Sequence, residues 1–151
     1  MNWMGKYKPL IETLVRFGHL SSQISREPIV INEEITLNSI EWQLFEYVYE
    51  HGEDTKMANV YTRLGIPQST FSKSITVLCS FGLVDKKTTD SNRKNKIITI
   101  TPKGKELYEK HAKNMKPVLW DSFFKELEPL SEDDLQTVTR AIGIICDDMS
   151  K

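Results

Sequence analysis

Signatures of metal and redox sites are missing from this 151-residue sequence. Its two cysteines, Cys79 and Cys146, lie far apart and outside any Cys-x-x-Cys or metal-ligand cluster. The three histidines, His19, His51 and His111, are equally scattered. We therefore expect reduced thiols, no metal site and no cofactor. A redox-sensing role for one of the cysteines is the less favoured alternative.

Catalytic and membrane signatures are also missing. The sequence contains no Gly-rich phosphate loop and no nucleophile elbow, and the histidines have no partners in a catalytic motif, so we expect no enzyme. No apolar stretch is long enough to span a membrane, which gives no reason to expect a membrane partner. The first twenty residues have polar interruptions and no small-residue cleavage site, unlike a secretory signal. These features predict a cytoplasmic protein.

Positive charge is concentrated in the middle of the chain. The formal net charge is only −1. Residues 56–105 nevertheless contain ten basic and two acidic residues, a balance of +8, whereas the rest contains ten basic and nineteen acidic residues, a balance of −9. A basic centre between acidic flanks is typical of a surface that binds phosphates. The alternative is an ordinary solvated basic surface.

The order of elements in the basic segment favours nucleic acid. Residues 69–82 are helix-like, a hairpin with a basic tip follows at 83–100, and Thr101-Pro102 opens another helix. In a winged helix with this order, the helix enters a groove of DNA and the hairpin contacts the DNA beside it. We expect a mainly α fold with a small β-hairpin wing, that is, a winged helix-turn-helix with N- and C-terminal dimerisation helices.

Local signals place the other elements. Asn38 with Glu41 three residues later is a reciprocal helix cap, and Gly52 and Gly65 end helices. We expect a connector at 29–36 and Pro67 in the first turn of a helix. The predicted helices cover residues 6–26, 38–51, 58–64 and 67–80, and the predicted strands cover 83–87 and 96–100 with a loop at 88–95.

The C-terminal part is expected to be helical. A long helix covers residues 102–128 with a kink at Pro117, and Ser131 with Asp134 opens the last helix. The end helices have wider apolar faces than a small winged helix needs, which indicates a dimer interface. The alternative is that they fold back as monomeric cover. The expected organisation is one domain over 1–151, with dimerisation helices at 1–36 and 105–151 and a winged-helix lobe at 37–104.

The helix at 67–80 has two different faces. Phe71, Ile75 and Leu78 recur at spacings of four and three and are expected to point inward. The opposite face is short, polar and rich in hydroxyl groups, which suits a helix that lies deep in a major groove. Its residues are Gln68, Ser69, Ser72, Lys73 and Thr76.

Four segments resemble the MarR family of bacterial winged-helix regulators (multiple antibiotic resistance regulators). They are LGIPQST at 64–70, FGLV at 81–84, DSNRK at 90–94 and ITITPKG at 98–104. The resemblance extends from about Leu10 to Met149 and is most specific in the wing. It implies an obligate homodimer, formed by the end helices, that binds a pseudo-palindromic site on double-stranded DNA and acts as a ligand-responsive repressor.

The resemblance also implies which residues contact DNA. The recognition helix would be 67–80 and the wing 83–100. Arg93 and Lys94 fall at the wing's basic pair, which suits a narrow minor groove where negative potential is concentrated. The complete set of expected DNA contacts is Gln68, Ser69, Thr70, Ser72, Lys73, Thr76, Arg93, Lys94 and Lys96.

Three positions depart from the family pattern. Pro67 replaces a Ser or Thr before Gln68, Tyr61 replaces a small Ala, and Arg93-Lys94 after Asn92 replaces an Arg-Arg pair after an acid. The first departure removes a phosphate or cap contact, and the second changes how two helices pack. The third leaves open whether Arg93 or Lys94 enters the groove.

A small-molecule effector is left open as a further partner. The family's usual effector crevice lies between the dimerisation helices and the winged-helix lobe. By position, Arg16, His19, Trp42 and Tyr47 are candidates to line it because they combine aromatic surface with polar tips. The alternative for each residue is ordinary packing or surface exposure. For the whole chain, the alternative function is a protein-binding winged helix without specific DNA recognition.

Overall fold

The computed structural model describes residues 3–51, 55–89, 92–112 and 118–151. Within these residues the chain forms seven α-helices and five short strands. The helices are α1 (Lys8–Ile24), α2 (Ser39–His51), α3 (Met57–Leu64), α4 (Gln68–Ser80), α5 (Pro102–Ala112), α6 (Val118–Leu127) and α7 (Glu132–Met149). The strands are β1 (Ile29–Val30), β2 (Thr36–Leu37), β3 (Thr55–Lys56), β4 (Val84–Thr89) and β5 (Asn92–Ile100). The predicted fold class, mainly α with a hairpin wing, is confirmed.

The helix start signals of the sequence are confirmed. The Glu41 N–H donates to Asn38 Oδ1 at 2.8 Å, and the Asn38 N–H donates to Glu41 Oε2 at 2.8 Å. Ser131 and Asp134 form the same reciprocal box at the start of α7. Each box satisfies backbone donors that a helix N-terminus otherwise leaves unpaired.

The helix end at Gly65 is also confirmed. Gly65 has a φ of +64°, a left-handed conformation that residues with a Cβ rarely adopt. The expected stop at Gly52 lies outside the described residues. Of the expected long helix at 102–128, the structure describes α5 and α6, and Pro117 between them lies outside the described residues.

The sequence prediction was wrong about the short strands. The expected connector at 29–36 contains β1, which pairs antiparallel with β2, and β3 pairs with β5 as the third strand of the wing sheet. Strands of two residues are too short to show the alternation that identifies a strand in a sequence. Tertiary pairing, rather than local pattern, defines them.

The predicted wing loop at 88–95 was too long. Strand β4 continues to Thr89 and β5 begins at Asn92. The register is regular from Val84↔Ile100 to Thr88↔Lys96 and then shifts to Thr89↔Asn92. This shift leaves residues 93–95 as extra residues of β5, an irregularity of the bulge type. In the sequence, the turn formers Asp90, Ser91, Asn92 and Asn95 favour a longer loop.

The hydrophobic core lies in the winged-helix lobe. The inward prediction for α4 is confirmed, since Phe71, Ile75 and Leu78 are each at most 1% exposed. The side chains around them come from α2, α3, both strands of the hairpin and α5. Besides α4, the core contains Ile35, Leu37, Trp42, Leu44, Phe45, Val48, Val60, Ile66, Leu83, Val84, Ile98 and Tyr108.

Among the described side chains, none of α1, α6 or α7 belongs to this core. Neither α1 nor α7 has a buried residue. Helix α6 exposes a cluster of three rings, Trp120, Phe123 and Phe124, whose centroids are 5.6 to 6.1 Å apart. The other exposed apolar side chains of these helices are Leu10, Val15, Phe17, Leu20, Ile24, Leu135, Val138, Ile142, Ile144, Ile145 and Met149.

Among the described residues, no helix combines the length and the apolar character needed to cross a membrane.

Candidate nucleic-acid interface

Helices α3 and α4 form the helix-turn-helix of the lobe. Residues 65–67 connect them, and the Ile66 N–H donates to Tyr61 O at 3.0 Å to close the turn. Pro67 is the residue before α4, with φ −56° and ψ 139°, so the expectation that it lies inside the first turn is wrong by one residue. Its carbonyl accepts the first bond of the helix, from the Phe71 N–H at 2.9 Å.

Tyr61 determines how the two helices pack. Its ring meets Phe71 of α4 edge to face, with centroids 5.6 Å apart and planes at 62°. This geometry is a favourable one for aromatic pairs. A large side chain therefore fills the place where the family pattern has a small one.

The outer face of α4 is accessible to a ligand. Gln68, Ser69, Ser72, Lys73 and Thr76 are all exposed, and Thr70 is half-buried. The Thr76 hydroxyl donates its proton to Ser72 O within the helix, at 3.0 Å. The face therefore presents an amide, hydroxyl oxygens and one ammonium group, a set that suits the donor and acceptor pattern of base edges.

The wing extends the positive charge next to α4. Arg93 and Lys94 belong to the irregular stretch of β5, and their side chains lie outside what the structure describes. Lys96 is exposed. Lys86 and Lys87 of β4 are exposed too, although sequence reasoning assigned them no role. Their membership of the basic segment 56–105 was the sequence feature that could have identified them.

The end of α4 is tied to the start of α5. The Thr101 hydroxyl donates to Gly82 O at 2.6 Å, and the Thr101 N–H donates to Leu83 O at 3.1 Å. The same hydroxyl accepts from the Gly104 N–H at 2.9 Å, which confirms Thr101 as the cap of α5. The Lys103 ammonium donates to Phe81 O at 2.9 Å. A Cβ on Gly104 would overlap the Leu83 carbonyl oxygen, so only glycine fits at this contact.

The four expected effector-pocket residues lie in different surroundings within the part of the chain that the structure describes. Trp42 is 9% exposed and packs on the rings of Phe45, Tyr108 and His111. Tyr47 stacks on His51 with centroids 3.8 Å apart. Arg16 and His19 are exposed on α1.

A different set of residues encloses space beside Trp42. A cavity of about 410 Å³ is lined by Ile31, Asn32, Lys103, Glu106, Leu107, Lys110 and His111. Trp42, one of the four expected residues, contacts this lining through the ring of His111.

A stack of aromatic rings joins α2 to α5. Tyr108 stacks on Trp42 at 5.7 Å and on Tyr49 at 4.0 Å, and its hydroxyl donates to Glu46 Oε1 at 3.0 Å. Burial, and then the bond to the Glu46 carboxylate, raise the pKa of Tyr108 well above its usual value. Sequence reasoning did not identify this contact because its partners are about sixty residues apart.

Both cysteines are free thiols. Cys79 is half-buried, and burial raises the pKa of its thiol, while nearby Lys86 acts in the opposite direction. A thiol that stays protonated is a weak nucleophile. Cys146 is exposed on α7. Among the described residues, no group of three or more His, Cys, Asp or Glu side chains is placed to bind a metal ion.

Comparison with known proteins agrees with this architecture. Residues 37–104 match the family model described as a winged helix DNA-binding domain. A search of curated protein sequences found no match. Similar solved structures include the adhesin competence repressor AdcR from Streptococcus pyogenes. AdcR is 13% identical to this chain with a TM-score of 0.62, and the alignment covers 97% of this chain and 100% of AdcR.

Two further structures share the fold. NMB1585, a MarR family regulator from Neisseria meningitidis, is 14% identical with a TM-score of 0.61, and the alignment covers 99% of this chain and 94% of NMB1585. The transcriptional regulator SlyA is 18% identical with a TM-score of 0.62, covering 93% of this chain and 94% of SlyA. The chain therefore contains a winged helix DNA-binding domain at residues 37–104 and has, over nearly its whole length, the fold of the MarR family regulators.

Proposed function

We propose that this protein is a dimeric transcriptional repressor that binds a pseudo-palindromic DNA operator. The observation that carries the proposal is the contrast between the two faces of α4. Phe71, Ile75 and Leu78 fix one face in the core, whereas the other face presents exposed side chains that form hydrogen bonds. A helix held rigidly by its buried face can present its polar face to base edges in a reproducible orientation.

Charge supports DNA as the partner. Lys73 on α4 and Lys86, Lys87 and Lys96 on the wing strands are exposed, and they belong to the segment with a balance of +8. Phosphate contacts from such residues supply most of the affinity and make it strongly salt-dependent. We assign Arg93 and Lys94 of the wing to the flanking minor groove.

The end helices supply the proposed dimer interface. Exposed aromatic and aliphatic side chains cover α1, α6 and α7, including Phe123 at 49% and Ile144 at 63% exposed. An apolar surface of this kind is costly in water and marks an interaction site. A second copy of the chain provides the same surface, as a two-fold symmetric interface requires. Two recognition helices would then reach successive major grooves, with centres about 10 bp apart.

Repression follows if the operator overlaps a promoter, because a bound dimer excludes the polymerase. AdcR, which shares the fold, is itself named a repressor. The proposal places the protein in the cytoplasm of a bacterium, together with its DNA.

DNA selection followed by fluorescence anisotropy tests the proposal. Duplexes that the protein enriches from a random pool would be titrated at two salt concentrations against unrelated competitor DNA. We expect tight binding that resists competitor, with two protomers per site and a steep salt dependence.

A matched pair of variants tests the role of α4. Gln68→Glu places a negative charge on the exposed face of α4, and Gln43→Glu makes the same change on the exposed side of α2. Gln68 is the first residue of α4, where a carboxylate does not destabilise a helix. We expect the first variant to lose at least tenfold in affinity (roughly 1.4 kcal/mol or more) and the second to bind like the wild type. Equal behaviour of the two, or no enriched sequence at all, would favour the protein-binding alternative.

A further inference from the structure

The junction between α4 and the wing is held by the start of α5. Three residues connect α4 to β4, and each of their carbonyls accepts a hydrogen bond from the cap or the first turn of α5. Thr101 donates from its hydroxyl to Gly82 O at 2.6 Å and from its N–H to Leu83 O at 3.1 Å. The Lys103 ammonium donates to Phe81 O at 2.9 Å. The start of α5 therefore grips the whole connection between the recognition helix and the wing.

The end of α4 has a well-defined backbone geometry. Gly82 has a φ of +71°, and the N–H groups of Gly82 and Leu83 donate back to carbonyls in the last turn of the helix, at 2.9 and 3.0 Å. This is the Schellman pattern of a helix C-terminus. The Phe81 carbonyl takes no part in the pattern, and its hydrogen bond comes from Lys103 instead. Lys103 thus adds a charged contact to a helix end that the backbone has already shaped.

The charges at the two helix ends explain why a lysine is present at this position. Cations stabilise the C-terminus of a helix, and anions stabilise its N-terminus. In these two helices, which the structure describes in full, the last turn of α4 has no basic side chain and the first turn of α5 has no acidic one. Lys103 therefore opposes the dipole of its own helix and complements that of α4. Such a compensated departure from a local rule is typical of a functional position.

We propose that Lys103 is a positioning residue for DNA recognition, which fixes the C-terminal end of α4 relative to the base of the wing. The link to recognition rests on the proposed function, in which α4 and the wing contact neighbouring grooves at the same time. Their relative orientation must then match the DNA. Without the bond from Lys103 to Phe81, the junction has to be ordered when DNA binds, and this ordering costs affinity. Lys103 acts through Phe81 and neutralises no phosphate.

Hydrogen exchange of single amides, followed by NMR on the DNA-free protein, tests the contact. Lys103→Met keeps an unbranched side chain and removes the ammonium, whereas Lys103→Arg keeps a cationic donor. Lys105→Met is the matched control, because it removes an exposed ammonium from the same turn of α5. We expect the amides of Gly82 and Leu83 to exchange at least threefold faster in Lys103→Met, through local opening of the helix end. The other two variants should exchange like the wild type.

The amide of Phe71 separates a local effect from a general one. It lies at the opposite end of α4, where its N–H donates to Pro67 O at 2.9 Å. Its exchange should be the same in Lys103→Met and in the wild type. Faster exchange at both ends of α4 would show general destabilisation, and unchanged exchange at Gly82 and Leu83 would show that the bond holds nothing. Either result would overturn the positioning role.

The affinity for the selected duplex, measured at several salt concentrations, tests the consequence for recognition. We expect Lys103→Met to bind at least threefold more weakly than the wild type, with an unchanged salt slope. A lysine that contacts a phosphate would instead reduce the slope by about 1 when it is removed. Lys103→Arg and Lys105→Met should bind like the wild type. A reduced slope in Lys103→Met, or an equal loss of affinity in Lys105→Met, would contradict the proposal.

The two experiments fail separately. If no duplex is selected, the proposed function fails together with the recognition role, while hydrogen exchange still decides whether Lys103 holds the end of α4. If a duplex is selected, faster exchange in Lys103→Met without weaker DNA binding would confirm the contact and refute the positioning role.

Discussion

Gly104 is the position at which one methyl group should be most damaging. It lies in the first turn of α5 and is buried against the segment that follows the recognition helix. A Cβ there would overlap the Leu83 carbonyl oxygen and lie 3.0 Å from Ile100 Cγ1. The obstacle is backbone, which cannot rotate aside as a side chain can. We therefore expect Gly104→Ala to move α5 away from the end of α4.

The cost can be estimated from three contributions. Overpacking costs about 1–3 kcal/mol, and a backbone obstacle favours the upper end. Leu83 O also accepts from the N–H of Thr101 at 3.1 Å, and straining this bond adds about 1 kcal/mol. Alanine is better than glycine in a helix by about 0.5–1 kcal/mol, which offsets part of this. The expected net loss of unfolding free energy is about 3 kcal/mol.

Urea denaturation measures this loss, with both proteins at one concentration because dimer stability depends on it. Tryptophan fluorescence reports unfolding, and Trp42 is the one of the three tryptophans that lies in the core of the lobe. Gly18→Ala in α1 is the matched control, because its Cβ would meet no atom of its own chain within 4 Å. The free energy of unfolding of the Gly18→Ala variant should exceed that of the wild type by about 0.5–1 kcal/mol. A Gly104→Ala variant within about 0.5 kcal/mol of the wild type would refute the packing argument.

Three further changes test the interface and its support. Gln68→Ala should relax specificity at one base step by about 1–3 kcal/mol, measured on a set of single-base operator variants, and uniform weakening would instead place Gln68 on phosphate. Arg93→Ala should lower affinity and reduce the salt slope by about 1, and an unchanged slope would count against the wing assignment. Tyr108→Phe removes the hydrogen bond to Glu46 and should cost about 1.5 kcal/mol in urea. Because the pKa of Tyr108 is raised in the folded state, wild-type stability should also fall as the pH rises above about 10, where tyrosine in the unfolded chain ionises first. The phenylalanine variant should show a smaller fall.

The sequence predicted the elements whose signals are local. The reciprocal caps at Asn38 and Ser131, the glycine end of α3 and the inward stripe of α4 depend on residues within one or two turns of each other. The structure confirms each of them. The exposed polar face of α4 follows from the same periodicity, because the opposite face is anchored in the core.

Features that depend on distant partners were not predictable. Strand β3 exists only because Thr55 and Lys56 pair with β5, about forty residues later. Trp42 stacks on Tyr108 and meets the ring of His111 edge to face, and both partners lie on α5, more than sixty residues along the chain. The cavity was missed for the same reason, since its two walls come from segments some seventy residues apart. Hydrophobic period alone does not identify which segments meet.

A hydroxyl-radical footprint on the selected duplex tests the central claim most directly. The account predicts two protected segments related by a two-fold axis, with centres about 10 bp apart and additional protection where the wings reach the flanking minor grooves. Protection of a single segment, or diffuse protection that disappears with competitor DNA, would contradict a dimer that places two α4 helices in successive major grooves.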